Sequence, residues 1–203
     1  KAETNPIYDT MNLLDYDAAT FGNHEFNYGL DFLMSSIRGA EFPFVSANVY
    51  KADSDADLSN NKNLVKPYKI IKKTVVDEAG KKQTLNVGVI GFVPPQIMQW
   101  DKANLEGKVV TEDIVASAKK WIPEMEADGA DIIVTLAHTG FVTNPEDSEN
   151  AVLGLSKVPG VDAILYGHSH LTFPTGKAAD NIAGVTDSVK GTINGVAAVQ
   201  ECD

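Results

Sequence analysis

Residues 131–140 read DIIVTLAHTG, an uncharged run from Ile132 to Ala137 that ends abruptly in histidine, threonine and glycine. An apolar run without polar alternation predicts a strand buried on both faces, the kind found where helices cover a mostly parallel sheet. Residues 161–170, VDAILYGHSH, repeat the plan, and residues 18–25, AATFGNHE, repeat it in shorter form. Helical patterns lie between them, so the chain reads as an α/β fold with its strands separated by helices.

The rest of the chain fills in around those strands. Pro6 opens a helix with Ile7, Met11 and Leu14 on one face, and Leu30, Leu33, Met34 and Ile37 give a second over Tyr28–Ala40, closed near Gly39. FPFVSANVY, residues 42–50, predicts a buried strand, and the polar residues 51–63 predict a surface loop. Two β-rich runs around DEAGKK predict a hairpin over residues 68–93. After Pro94 and Pro95 comes an irregular stretch. Residues 111–130 then predict a helix with Thr111 as N-cap and Ile114, Ala118, Trp121 and Ile122 on one face, kinked or restarted at Pro123. SENAVLGLSKVPG, residues 148–160, predicts a short helix, and the run before AAVQECD reads as a final strand.

Composition narrows the partners. With 28 acidic against 17 basic residues the net charge is -11, and no Lys/Arg cluster offers a footprint for a phosphate backbone, which argues against a nucleic-acid polymer as partner. A phosphate-bearing small molecule stays possible where a bound metal supplies the positive charge locally. No apolar run approaches the ~20 residues that cross a bilayer. The single cysteine, Cys202, allows no internal disulfide and says nothing of redox compartment.

All four histidines, His24, His138, His168 and His170, lie at the polar ends of the three apolar runs. In open α/β sheets that edge is where ligands bind. Taken singly, each has an ordinary role: His138 as a hydrogen-bonded loop residue, Asn23 as a turn former, Glu25 as a helix-start carboxylate or a solvated charge. His168 and His170 say more, because residues two apart in extended chain point the same way and two imidazoles can then reach one metal or two neighbouring ones. Their joint placement favours a ligand site.

On these residues the sequence resembles the calcineurin-like metallophosphoesterases, whose blocks include GNHE, here Gly22–Glu25, and GHxH, here Gly167–His170, with a histidine block between them at His138. The stretches LDYDAATFGNHEFNYGLDFL (14–33), IGFVPPQIMQWDKANLEGKV (90–109) and VPGVDAILYGHSH (158–170) look like the bacterial periplasmic branch of 2',3'-cyclic-nucleotide 2'-phosphodiesterase/3'-nucleotidases. The resemblance implies a four-layer α/β/β/α sandwich holding two divalent metals, Mn, Zn, Fe or Co, at its strand ends. It assigns Asn23, His138 and His168 to one metal and His170 to the other. It places His24 to contact the phosphate or protonate the leaving oxygen, with Asn27 orienting the His24 ring. In the 5'-nucleotidase branch an Asp stands where Asn27 does, and an amide cannot stabilise an imidazolium by charge.

The family's Asp-x-His block and metal-bridging Asp lie upstream of GNHE, and Asp9, Asp15 and Asp17 are not in those contexts. The 203 residues therefore read as an N-terminally truncated catalytic domain, without the C-terminal domain that grips the base, expected to bind metal weakly and turn over poorly by itself. The implied parent is a periplasmic, monomeric enzyme acting on small nucleotides. A 5'-nucleotidase or UDP-sugar hydrolase, and a non-catalytic domain of the same fold, are the alternatives.

Overall fold

A computed structural model describes residues 5–200 apart from 54, 56 and 59; Cys202 and part of the 51–63 loop lie outside the described residues. The helices are α1 (Pro6–Leu13), α2 (Gly29–Ser36), α3 (Ile97–Trp100), α4 (Lys102–Leu105), α5 (Ile114–Ala127) and α6 (Val152–Leu155). The strands are β1 (Val49–Lys51), β2 (Tyr68–Val76), β3 (Lys82–Phe92), β4 (Val109–Thr111), β5 (Ile132–Ala137), β6 (Ala163–Tyr166), β7 (Thr186–Asp187), β8 (Thr192–Ile193) and β9 (Val196–Gln200). Among the described residues no helix is long and apolar enough to cross a membrane.

Seven strands form one mixed sheet in the order β2-β3-β5-β6-β9-β8-β7. Strands β3, β5, β6 and β9 run parallel, so Phe92, Ala137, Tyr166 and Gln200 finish at the same edge. The hairpin β2/β3 flanks them on one side and the antiparallel turns through β8 and β7 on the other. Helix α5 lays Ile114, Ala118, Ile122 and Met125 over Ile90, Phe92, Ile133 and Ile164, and these form the larger core. A second sheet is reduced to the antiparallel pair β1/β4. Beside it Phe21, Phe26, Leu33, Phe42, Phe44, Val93 and Ile97 make a second, aromatic core.

Several expectations are corrected. Residues 18–21 and 42–50 are not full strands. Ala19 bridges Phe44 and Val45 bridges Lys66 as single pairs, and only Val49 onward is regular. Their backbone groups go to scattered partners instead: Ala19 N to Pro43 O at 3.0 Å, Ser46 N to Lys66 O at 3.0 Å, Ala47 N to Gly91 O at 2.7 Å. Pro43, which has no N–H, cannot extend a ladder. The contact with Gly91 is so close that a Cβ there would stand 2.1 Å from Val45 O, which only glycine permits.

Helix α5 starts later than expected. Thr111 ends β4, and Asp113 is the N-cap, its carboxylate accepting from Ala116 N at 2.9 Å. It also runs unbroken through Pro123, which lies on its exposed side, where water can satisfy the carbonyl deprived of its partner. The helix expected over 148–160 shrinks to α6, because Asp147 Oδ1 draws Glu149 N (3.0 Å) and Asn150 N (2.6 Å) into a turn. The parallel strands are also not sealed on both faces. β5 alternates between buried and half-buried positions, and Leu165 in β6 is 44% exposed.

Candidate active site

The parallel edge carries the polar endings. His138 follows β5, Gly167–His170 follow β6, and Gln200 closes β9. GNHE approaches from the second core. Gly22 precedes a short 3-10 turn, Asn23–Phe26, whose carboxylate Glu25 accepts from Gly22 N at 2.6 Å, the helix-start role. Phe26, fully buried against Phe21 at 5.8 Å, anchors that turn in the aromatic core.

The structure brings GNHE and the β5 ending together. Asn23 Oδ1 and His138 Nε2 are 2.8 Å apart, across 115 residues of sequence. Gly22 is what lets them meet, since a Cβ there would lie 2.9 Å from His138 Cε1. The rings of His138 and His168 stand edge to face at 5.1 Å. His168 has a positive φ of 73°, its Nε2 lies 3.2 Å from Glu149 Oε1, and the Trp100 indole stacks on its ring at 5.7 Å. His170, also at positive φ (53°), is exposed two residues on. The loop carrying both is clasped from β9: Gln200, buried to 2% exposure, donates from Nε2 to Ser169 Oγ at 2.8 Å. Phe173 and Gln200 also exchange backbone hydrogen bonds of 2.8 and 2.7 Å.

A second group forms around His24. Its Nδ1 is 2.8 Å from Asn27 Oδ1, and Asn27 Nδ2 donates to both oxygens of Asp101, at 3.1 and 3.2 Å. Asn104 Nδ2 donates to Asn27 O at 2.8 Å, tying the same turn to α4. His24 and Glu25 open onto a cavity of about 350 Å³ lined also by Tyr8, Met11, Phe32 and Leu33. Burial, with a lesser push from the Glu25 charge, raises the Tyr8 phenol above its ordinary pKa.

The donor set fits one divalent ion in part. Asn23 Oδ1 and His138 Nε2 are brought within hydrogen-bond distance of each other, and amide oxygen with imidazole suits Zn, Mn or Fe. Among the described residues no three His, Cys, Asp or Glu side chains converge as a metal cluster. Sequence reasoning misses Asp101, Glu149 and Trp100. Each meets its partner only through the fold, and the QWDKAN stretch offers no local spacing that would flag it.

A model of the calcineurin-like phosphoesterases matches residues 4–171. The chain belongs to that family. It is 51% identical over 199 residues to the 2',3'-cyclic-nucleotide 2'-phosphodiesterase/3'-nucleotidase of Salmonella typhimurium, covering 97% of this chain and 30% of that protein. The crystal structure of the calcineurin-like phosphoesterase YfkN from Bacillus subtilis superposes with a TM-score of 0.91 at 50% identity, over 99% of this chain and 58% of the other. The 5'-nucleotidase of Vibrio cholerae is more distant, 30% identical over 173 residues, which are 82% of this chain and 29% of that protein. The chain thus spans about a third of the length of the Salmonella relative. The mixed sheet with helices is this family's fold.

Proposed function

We propose that these residues are the catalytic part of a metal-dependent nucleotide phosphoesterase that opens nucleoside 2',3'-cyclic phosphates at the 2' oxygen and then releases phosphate from the 3'-nucleotide. Asn23, His138 and His168 would hold one divalent ion and His170 a second. Such ions supply charge stabilisation to the phosphoryl oxygens. The chain's own residues prepare the rest. Gly22 and Glu25 fix the turn that presents Asn23, Trp100 and Glu149 orient the His168 ring, and Asn27 holds the His24 imidazole by Nδ1, leaving Nε2 to contact the phosphate or the leaving oxygen.

The observation that carries this reading is the meeting of Asn23 with His138 at the parallel edge, next to the histidines after β6. Identity supports the substrate class, because the 2',3'-cyclic branch matches at 51% and the 5'-nucleotidase at 30%. A periplasmic, monomeric parent belongs to the same proposal. The test is twofold. Calorimetric titration of Mn²⁺ into this chain should give one weak site that His168→Ala abolishes. The full-length parent, loaded with Mn²⁺, should turn over 2',3'-cyclic AMP and 3'-AMP much faster than 5'-AMP. Preference for 5'-AMP would move the assignment to the 5'-nucleotidase branch, and no turnover of any of the three to a non-catalytic role.

A further inference from the structure

We propose that Asp101 is a positioning residue for His24, acting through the side-chain amide of Asn27. Asp101 lies at the junction of α3 and α4, 74 residues from Asn27 in sequence, and is only 8% exposed. It stands at the N-cap of α4, where an aspartate ordinarily accepts from the helix's first amides. Its side chain makes no such bond. Both carboxylate oxygens turn instead to Asn27 Nδ2, at 3.1 and 3.2 Å. No ion pair among the described residues includes Asp101. A sheltered carboxylate without a cation is unfavourable unless well hydrogen-bonded, so the donated amide is its principal compensation.

The consequence is a hydrogen-bond chain of fixed direction. An ionised carboxylate only accepts, so the NH₂ end of Asn27 must face Asp101 and the carbonyl end must face His24. That oxygen can only accept from Nδ1, which at 2.8 Å must carry a proton. Nε2 is thereby the open nitrogen of the ring. With Asp101 absent, the Asn27 amide could turn end for end, and its NH₂ would then select the opposite tautomer. Asn104 holds the backbone of the same turn through Asn27 O, and neighbouring Trp100 stacks on His168, so residues 100–104 brace two of the three histidine blocks, GNHE and GHSH. That the open nitrogen faces a phosphoester rests on the function proposed above; the direction of the chain does not.

The test reads tautomers by long-range ¹H–¹⁵N spectra of the metal-free chain at alkaline pH, where imidazoles are neutral, with His24→Gln assigning the resonance. The native chain is expected to show His24 as the Nδ1–H form. In Asp101→Asn the Nδ1 signal should move toward the range of an unprotonated nitrogen. The double variant Asn27→Asp/Asp101→Asn exchanges the two groups. Its carboxylate at position 27 accepts from Nδ1–H directly and its amide at position 101 donates to that carboxylate, so the Nδ1–H form should return. A purely structural role predicts neither the change nor its reversal. An Asp101→Asn spectrum with the His24 tautomer unaltered, or a folded double variant that fails to recover it, overturns the proposal. Because neither metal nor substrate is present, failure of the phosphoesterase assignment would leave these outcomes legible.

Discussion

Gly22 shows how much one hydrogen atom in place of a methyl decides. Its backbone is extended, so any residue could adopt the conformation, and the restriction is purely one of space. Gly22→Ala is expected to push the His138 ring away from Asn23 and to destabilise the fold by about 1–3 kcal/mol through overpacking. Urea unfolding checks the stability, and the shift of the His138 ring resonances checks the displacement. Sequence makes the histidines and Asn23 conspicuous because all of them end apolar runs. It cannot reveal Asp101 or Glu149, which are unexceptional charges until folding sets them against Asn27 and His168.

At the scale of elements, Asn48 substitutes for a strand that residues 42–48 do not form. Fully buried, its amide accepts from Val93 N at 3.1 Å and donates to Val93 O at 2.7 Å, imitating a backbone pair, and also donates to Glu112 O at 3.1 Å. Asn48→Ala strands those groups in the interior, and a loss of about 2–4 kcal/mol is expected by chemical denaturation. Such side-chain pairing explains why composition overstates the strand: FPFVSANVY has strand character, but its partners are single residues on different segments. The hairpin and the parallel strands are legible because each pairs along its length.

A second element contact sets a pH response. Tyr68, at the start of β2, donates its hydroxyl to Asp128 at the end of α5, at 2.7 Å, with the Trp121 ring edge to face at 6.0 Å. Burial, then the bond to Asp128 and its charge, lift the phenol from about 10 to about 12. A folded pKa above the unfolded one contributes stability that is complete below the unfolded value and fades as pH climbs through the folded one. Stability should therefore drop between about 10 and about 12. Tyr68→Phe should lack that share of the drop when urea midpoints are compared across the window.

The whole molecule is divided between two cores, one under α5 and one built from aromatic rings around GNHE. Leu33→Ala, in the second core, is expected to remove about 2–5 kcal/mol. Hydrogen exchange should show the amides near Phe21, Phe44 and Val93 losing protection before those of β5 and β6, since local opening follows contiguous packing. A uniform loss would mean that the cores unfold as one. The parallel frame can be read from sequence because burial leaves long apolar runs. The half-covered second face and the antiparallel turns through β7 and β8 cannot, since two-residue strands carry no periodicity.

The clasp of Gln200 on Ser169 also ties the histidine edge to the far end of these residues. A nascent chain acquires GNHE first, the His138 strand next and the GHSH loop after that, yet the residue that seats this loop is made 31 positions after Ser169. The GHSH loop thus cannot be latched until Gln200 exists, and a chain that stops just past β6 would carry His168 and His170 without the side chain that seats them.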